Sequence, residues 1–158
     1  MAALEHFARR AVGIAVSVMA VAVHATGGLP MGQAIASRMA ALVVEDDRML
    51  RDLAAAVLEE TDLQVVEAES GEEALAYLRE HAEDVAFVFT DVQLPRLVDG
   101  VDLARMVATK WPWIRMVVTS GGPGDRIDHL PRSATYMPKP WRALDVLVAA
   151  EQAAARSA

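Results

Sequence analysis

Carboxylates at the ends of short apolar runs constrain this chain more than any other feature. Ala41-Leu42-Val43-Val44 leads into Glu45-Asp46-Asp47, Val85-Ala86-Phe87-Val88-Phe89-Thr90 leads into Asp91, and a third run closes at Pro138-Lys139-Pro140. Runs of β-branched and aromatic residues bounded by polar ones read as buried parallel strands, and in an open α/β sheet ligands sit beyond the carboxyl ends of the strands. Glu45, Asp46 and Asp91 are therefore expected to meet at one edge, with Lys139 beside them. Acids packed together repel one another unless a cation lies among them, and carboxylates plus water suit the hard Mg2+ ion. A site of this kind binds an anionic phosphoryl group through its metal and its ammonium.

Strand and helix patterns alternate from Met39 onward. Met49, Leu50, Leu53, Ala54, Val57 and Leu58 recur at helical spacing and predict an amphipathic helix ending near Glu60. Gln64 to Ala68 reads as a second strand. Ser70 and Glu73 form a capping box that opens a helix from Gly71 to about Glu80, with Ala74, Leu75 and Leu78 inward. A further helix is expected from about Val101 to Lys110, burying Leu103, Met106 and Val107 and stopped by Trp111-Pro112. Ile114 to Thr119 and Ala134 to Met137 read as the fourth and fifth strands, and Trp141 to Ala155 as a final amphipathic helix. Between the last two strands, Gly121 to Pro131 contains three glycines and two prolines, so at most one helical turn survives near Asp125 to Leu130. The implied fold class is α/β, a doubly wound five-stranded parallel sheet with a shortened fourth helix.

Charge is unevenly spread. The 158 residues carry a formal net charge of −7, but residues 39–158 hold 12 basic against 21 acidic side chains, a net of −9. An acidic body without a basic stripe argues against direct binding of nucleic acid, because phosphate contacts supply most non-specific affinity. With no cysteine, disulfides, thiolate zinc sites and a cysteine nucleophile are excluded. The four histidines, His6, His24, His81 and His129, have no ligand spacing. Residues 1–38 differ in composition from the rest: Arg9-Arg10 precede an uncharged apolar stretch from Ala11 to Val23, which ends in His24-Ala25-Thr26-Gly27-Gly28-Leu29-Pro30. Three readings stay open for this extension. It is foreign to the natural protein, with Met31 or Met39 the true start, or an interfacial or self-associating helix, or a signal or anchor too short for a comfortable membrane span. Topology speaks against the anchor of a phosphoryl-binding body, since a basic pair ahead of a single span sends the remainder of the chain outward, away from the cytoplasm.

From Met39 to Ala158 the chain resembles the receiver domain of two-component response regulators. Leu42-Val43-Val44-Glu45-Asp46-Asp47 resembles the first strand and acidic pair of that family, and Thr90-Asp91-Val92-Gln93-Leu94-Pro95 the phosphoacceptor strand end with its loop and proline. Asp99-Gly100 resembles the turn before the third helix, Val118-Thr119-Ser120-Gly121 the fourth-strand end with its hydroxyl, and Tyr136-Met137-Pro138-Lys139-Pro140 the switch aromatic, lysine and proline. The resemblance implies a flavodoxin-like fold and a mechanism. Asp91 accepts a phosphoryl group from the phosphohistidine of a sensor histidine kinase or phosphotransfer protein. Mg2+ is held by Asp46 and Asp91, through water by Glu45, and by the main-chain carbonyl of Gln93. Lys139 pairs with a phosphoryl oxygen, and the hydroxyl of Ser120 or of its neighbour Thr119 meets another. Inward motion of that hydroxyl draws in Tyr136 and changes the surface offered to a downstream protein. Asp47 is expected only to cap the first helix, and the Lys139–Pro140 bond is commonly cis in this family.

Two departures stand out: the glycine- and proline-rich Gly121 to Pro131, and Arg96-Leu97-Val98-Asp99-Gly100, one residue longer than the commonest form of that loop. The expected function is a cytoplasmic single-domain receiver, not itself an enzyme and away from the membrane, that signals by phosphorylation-controlled protein binding or passes phosphate along a relay. Its rivals are a phosphorylation-independent interaction module of the same fold and an aspartyl-nucleophile phosphatase. The phosphatase reading lacks its Asp-x-Asp spacing, because Gln93 stands where the second aspartate belongs.

Overall fold

The computed structural model describes residues 39–122 and 126–157. The readings of residues 1–38 lie outside the described residues. Among the described residues five strands, β1 (Ala40–Val44), β2 (Gln64–Ala68), β3 (Val85–Asp91), β4 (Arg115–Ser120) and β5 (Thr135–Pro138), alternate with four α-helices, α1 (Arg48–Leu58), α2 (Gly71–His81), α3 (Gly100–Lys110) and α4 (Ala143–Ser157). All strand pairs are parallel, in the order β2-β1-β3-β4-β5. The chain moves outward from β1 to β2 and then returns to the other side of β1 for β3. That reversal is the switch point at which open α/β sheets bind ligands.

Both faces of the sheet are covered, which is why β1 and β3 read as continuous apolar runs rather than alternating ones. On one face Leu42, Val44, Val88 and Val118 pack with Leu75, Leu78, Leu103 and Val107 of α2 and α3. On the other, Val43, Phe87, Phe89 and Val117 pack with Ala54 and Leu58 of α1 and with Val146 and Ala150 of α4. Ser70 caps α2, its hydroxyl oxygen accepting from Glu73 N at 3.2 Å, while Glu73 reaches back to Glu69 N at 2.8 Å.

The expected elements are all present, with boundaries shifted by one or two residues, since β4 and β5 each start and end one residue later and the final helix runs from Ala143 to Ser157. Between β4 and β5 the described residues hold one turn of 3-10 helix, Ile127–His129. Two expectations of burial fail. Met49 and Leu53 of α1 are 82% and 52% exposed and Leu50 lies at the surface, whereas the inward stripe is Arg51, Ala54, Ala55 and Leu58. In α3, Met106 is exposed, and Val101, Leu103, Ala104 and Val107 face inward. Both helices offer more apolar residues than one face of a sheet can cover, and on α1 the small Ala54 and Ala55 allow close approach to the sheet.

Candidate functional site

The acidic turn after β1 is fixed from three sides. Glu45 N donates to Ala68 O of β2 at 3.1 Å, and Glu45 Oε1 accepts from Asp47 N at 3.2 Å. The buried guanidinium of Arg51 donates to the Glu45 main-chain carbonyl at 2.8 Å and pairs with Glu67 Oε2 at 3.3 Å and Glu69 Oε1 at 3.1 Å. Asp47 is the N-cap of α1, accepting from Leu50 N at 3.1 Å, as its position predicts.

Asp91 ends β3, and the backbone after it is drawn tight. Val92 N donates to Thr119 O at 2.8 Å, and Gly100 N returns to Val92 O at 2.9 Å, closing the connection from β3 to α3 into a loop. Lys139 arrives from the end of β5, where its N–H donates to Ser120 O at 2.8 Å and the Lys139–Pro140 bond is cis. Its Nζ donates to Asp91 Oδ2 at 2.9 Å and Glu45 Oε2 at 3.4 Å. Carboxylate oxygens of Glu45, Asp46 and Asp91 lie within 4.8 Å of one another, two of the residues buried and Asp46 exposed.

Glu45, Asp46, Asp91 and Lys139 thus come together as the sequence predicts. Burial pushes the Glu45 carboxyl up, and the nearby Asp91 charge adds to this, against the hydrogen bond from Asp47 N and the attraction of Lys139. Burial works against the Lys139 ammonium, but its hydrogen bond to Asp91 and the charges of Asp91 and Glu45 outweigh this and hold it above the ordinary lysine value. One ammonium facing three carboxylates leaves excess negative charge, and this donor set of hard oxygens suits a small divalent cation. Gln93 is exposed in the loop two residues past Asp91.

Thr119 and Ser120 are both buried at the end of β4 but turn differently. Thr119 Oγ1 donates to the Thr90 carbonyl at 3.4 Å, and Ser120 Oγ lies 3.4 Å from Gly122 O in the following connection. Strand alternation puts Ser120 on the same face as Val118, whose register partner is Tyr136. Tyr136 is 39% exposed.

Residues 41–150 match the family model of the response regulator receiver domain. The chain belongs to this family. It is 31% identical over 118 residues to the transcriptional regulatory protein PdtaR of Mycobacterium tuberculosis, covering 73% of this chain and 56% of that protein. To the virulence transcriptional regulatory protein PhoP of Salmonella typhimurium it is 34% identical over 112 residues, covering 69% and 49%. The receiver thus spans about half the length of these relatives. Among solved structures, a receiver domain protein from Clostridium thermocellum is similar with a TM-score of 0.67 at 27% identity, covering 75% of this chain and 95% of that one. The receiver domain of NtrX from Brucella abortus gives 0.63 at 28%, covering 73% and 98%. This chain is therefore a receiver of two-component signalling, and no described helix is long and apolar enough to cross a membrane.

Sequence reasoning missed three residues around the receiver's site. Arg51 was concealed inside an apolar helix, although Glu67 and Glu69, two apart on the neighbouring strand end, offered it partners. Glu72 Oε1 accepts from Leu97 N at 2.9 Å and Val98 N at 3.1 Å, a link across 25 residues that no spacing rule signals. Arg126 bridges the β4–β5 connection to the start of α3, pairing with Asp99 Oδ2 at 2.9 Å and Asp102 Oδ1 at 3.3 Å.

Proposed function

We propose that Asp91 is the phosphoacceptor and that this chain signals by Mg2+-dependent phosphorylation from a histidine kinase or phosphotransfer protein. The observation that carries the reading is Lys139 Nζ at 2.9 Å from Asp91 Oδ2, beside three carboxylates gathered within 4.8 Å. In the transfer, a carboxylate oxygen of Asp91 forms a bond to phosphorus as the phosphorus–nitrogen bond of the phosphohistidine breaks, and the imidazole leaves with its electron pair. The transition state is loose, so positioning and charge neutralisation supply most of the catalysis. Glu45, Asp46 and Asp91, with the Gln93 carbonyl, would hold Mg2+, which when bound neutralises the phosphoryl oxygens. Lys139 exchanges its bond to Asp91 Oδ2 for one to a phosphoryl oxygen.

Ser120 is our choice for the hydroxyl that meets the phosphoryl group, because it shares a sheet face with Tyr136 and Thr119 does not. Its inward turn would leave room for the ring of Tyr136 to follow, changing the surface that a downstream protein reads. The full Glu45, Asp46, Asp91 and Lys139 set favours this reading over a phosphorylation-independent module, and Gln93 favours it over an aspartyl phosphatase. Incubation with Mg2+ and a small phosphodonor should add one phosphoryl mass to the wild type and none to Asp91→Asn. An adduct that persists in Asp91→Asn sinks the assignment.

A further inference from the structure

The loop from Val92 to Asp99 carries Gln93 and is anchored unequally along its length. Its root is tied by main-chain bonds, Leu94 N to Val92 O at 3.1 Å and Gly100 N to Val92 O at 2.9 Å. At its tip Leu97 is 92% exposed and gains nothing from burial. Arg96 adopts φ 73°, in the left-handed region, which costs a residue bearing a Cβ about 1 kcal/mol or more. An exposed, strained tip holds one conformation only if something outside the loop captures it. The carboxylate of Glu72, in the first turn of α2, accepts from the N–H groups of Leu97 and Val98, the two residues that follow the strained one. Gly71 permits the approach: a Cβ there would stand 2.4 Å from Val98 O. The Glu72 carboxyl is held below the usual carboxylate range first by its own backbone N–H, against the cost of burial, and then by the N–H groups of Leu97 and Val98 and the charge of Arg96. Asp46, Glu72, Pro95 and Arg96 line one open polar depression, so the strapped tip and the exposed member of the acid trio border the same space.

We propose that Glu72 is a positioning residue for the metal-side loop, strapping residues 97 and 98 so that the Gln93 carbonyl is held ready for the cation beside Asp46 and Asp91. This rests on the Mg2+ reading of the site. Glu72 touches neither phosphoryl group nor metal. Its effect is to reduce the number of loop conformations that cation binding must otherwise sort among, which improves affinity without a new contact to the ion.

The test compares the wild-type chain with Glu72→Ala, Glu72→Gln and Glu73→Ala. Amide exchange at Leu97 and Val98 is followed by NMR, Mg2+ affinity by calorimetric titration, and Asp91 phosphorylation at saturating Mg2+ by intact mass. Glu72→Ala is expected to raise exchange at both amides by at least about tenfold and to weaken Mg2+ binding about three- to tenfold, an order of magnitude being worth 1.4 kcal/mol. Its phosphorylation rate at saturating Mg2+ should stay near wild type. Glu72→Gln retains the acceptor oxygen and should restore both slow exchange and affinity. Glu73→Ala removes a neighbouring acid of the same charge that bonds elsewhere and should leave Mg2+ affinity unchanged. If Glu72→Ala frees the two amides while Mg2+ affinity equals that of wild type, the strap is structural only and the proposal is wrong. Equal weakening in Glu73→Ala would likewise overturn it in favour of general negative charge. A wild type with protected amides that binds no Mg2+ refutes the functional reading itself, a result separable from the other two.

Discussion

Gly100 opens α3 where the chain turns back against the backbone of Asp91, and the absence of a side chain permits that approach. A Cβ at this position would lie 2.0 Å from the Asp91 carbonyl oxygen and 2.8 Å from both the Asp91 carbonyl carbon and Val92 Cα. Ordinary contacts begin at 3.4 Å, so Gly100→Ala must push main chain aside by more than an ångström. The opposing atoms are not free to rotate away as a side-chain tip would be, because Val92 is bonded to Thr119 O at 2.8 Å and accepts from Gly100 N at 2.9 Å. Overpacking of a closed site costs about 1–3 kcal/mol, and weakening the Gly100–Val92 hydrogen bond adds about 1 kcal/mol. Alanine's better helix propensity returns about 0.5–1 kcal/mol. A net loss of about 1–3.5 kcal/mol is expected, which for a domain of this size lowers the melting midpoint by roughly 4–14 °C. Thermal unfolding should be measured beside Gly122→Ala, whose added Cβ meets nothing within 4 Å and which should stay within about 0.5 kcal/mol of wild type. The displaced backbone bears Asp91, the proposed phosphoacceptor, so phosphorylation of the folded Gly100→Ala protein should slow as well. A Gly100→Ala protein that melts with the wild type would refute the steric argument outright.

Two further outcomes are expected, one at the site and one on α1. Because burial raises the Glu45 carboxyl, the fold favours its neutral form; the resulting penalty is absent below the unfolded value of 4.5 and grows as pH rises through the folded one. Metal-free Glu45→Gln should therefore melt higher than wild type at neutral pH, lose this advantage in acid, and bind Mg2+ more weakly; an equal gain at both pH values would rule out ionisation as its cause. On α1, Leu53→Gln should change stability by less than about 0.5 kcal/mol in urea unfolding, while Leu58→Ala should cost about 2–5 kcal/mol. The reverse order would mean the helix is rotated from the face described.

The strands and the acid cluster were legible because both are local. Val85 to Asp91 is buried at every position, so its apolar run has no periodicity to misread, and a carboxylate ending such a run has few places to go. Lys139 was legible for a different reason, since a cation at the end of another strand reaches the same edge by topology alone. The contacts of Glu72 and Arg126 were not legible, because each joins elements about 25 residues apart through loop backbone or side chains whose partners depend on the loop path. For Ser120 and Thr119, chain counting favours Ser120 without excluding its neighbour. Strand alternation separates them only once the register of β4 on β5 is known.

The misreading of α1 and the stability of the acidic turn have one physical origin. Periodicity groups Met49, Leu50 and Leu53 with Ala54, Val57 and Leu58 on one apolar stripe because they recur at helical spacing, yet a helix lying close to a sheet benefits from small side chains at the contact, and Ala54 and Ala55 provide them. Rotating α1 onto its alanines carries Arg51 inward as well. A buried guanidinium is tolerable only if paired and hydrogen-bonded, and Glu67, Glu69 and the Glu45 carbonyl meet that requirement. The face that looks less favourable by hydropathy is thus the one that ties the helix to β2 and to the turn bearing Glu45 and Asp46. Stability of the helix and geometry of the site are served by the same side chain, and that coupling is invisible to any reading that scores a helix by hydropathy alone.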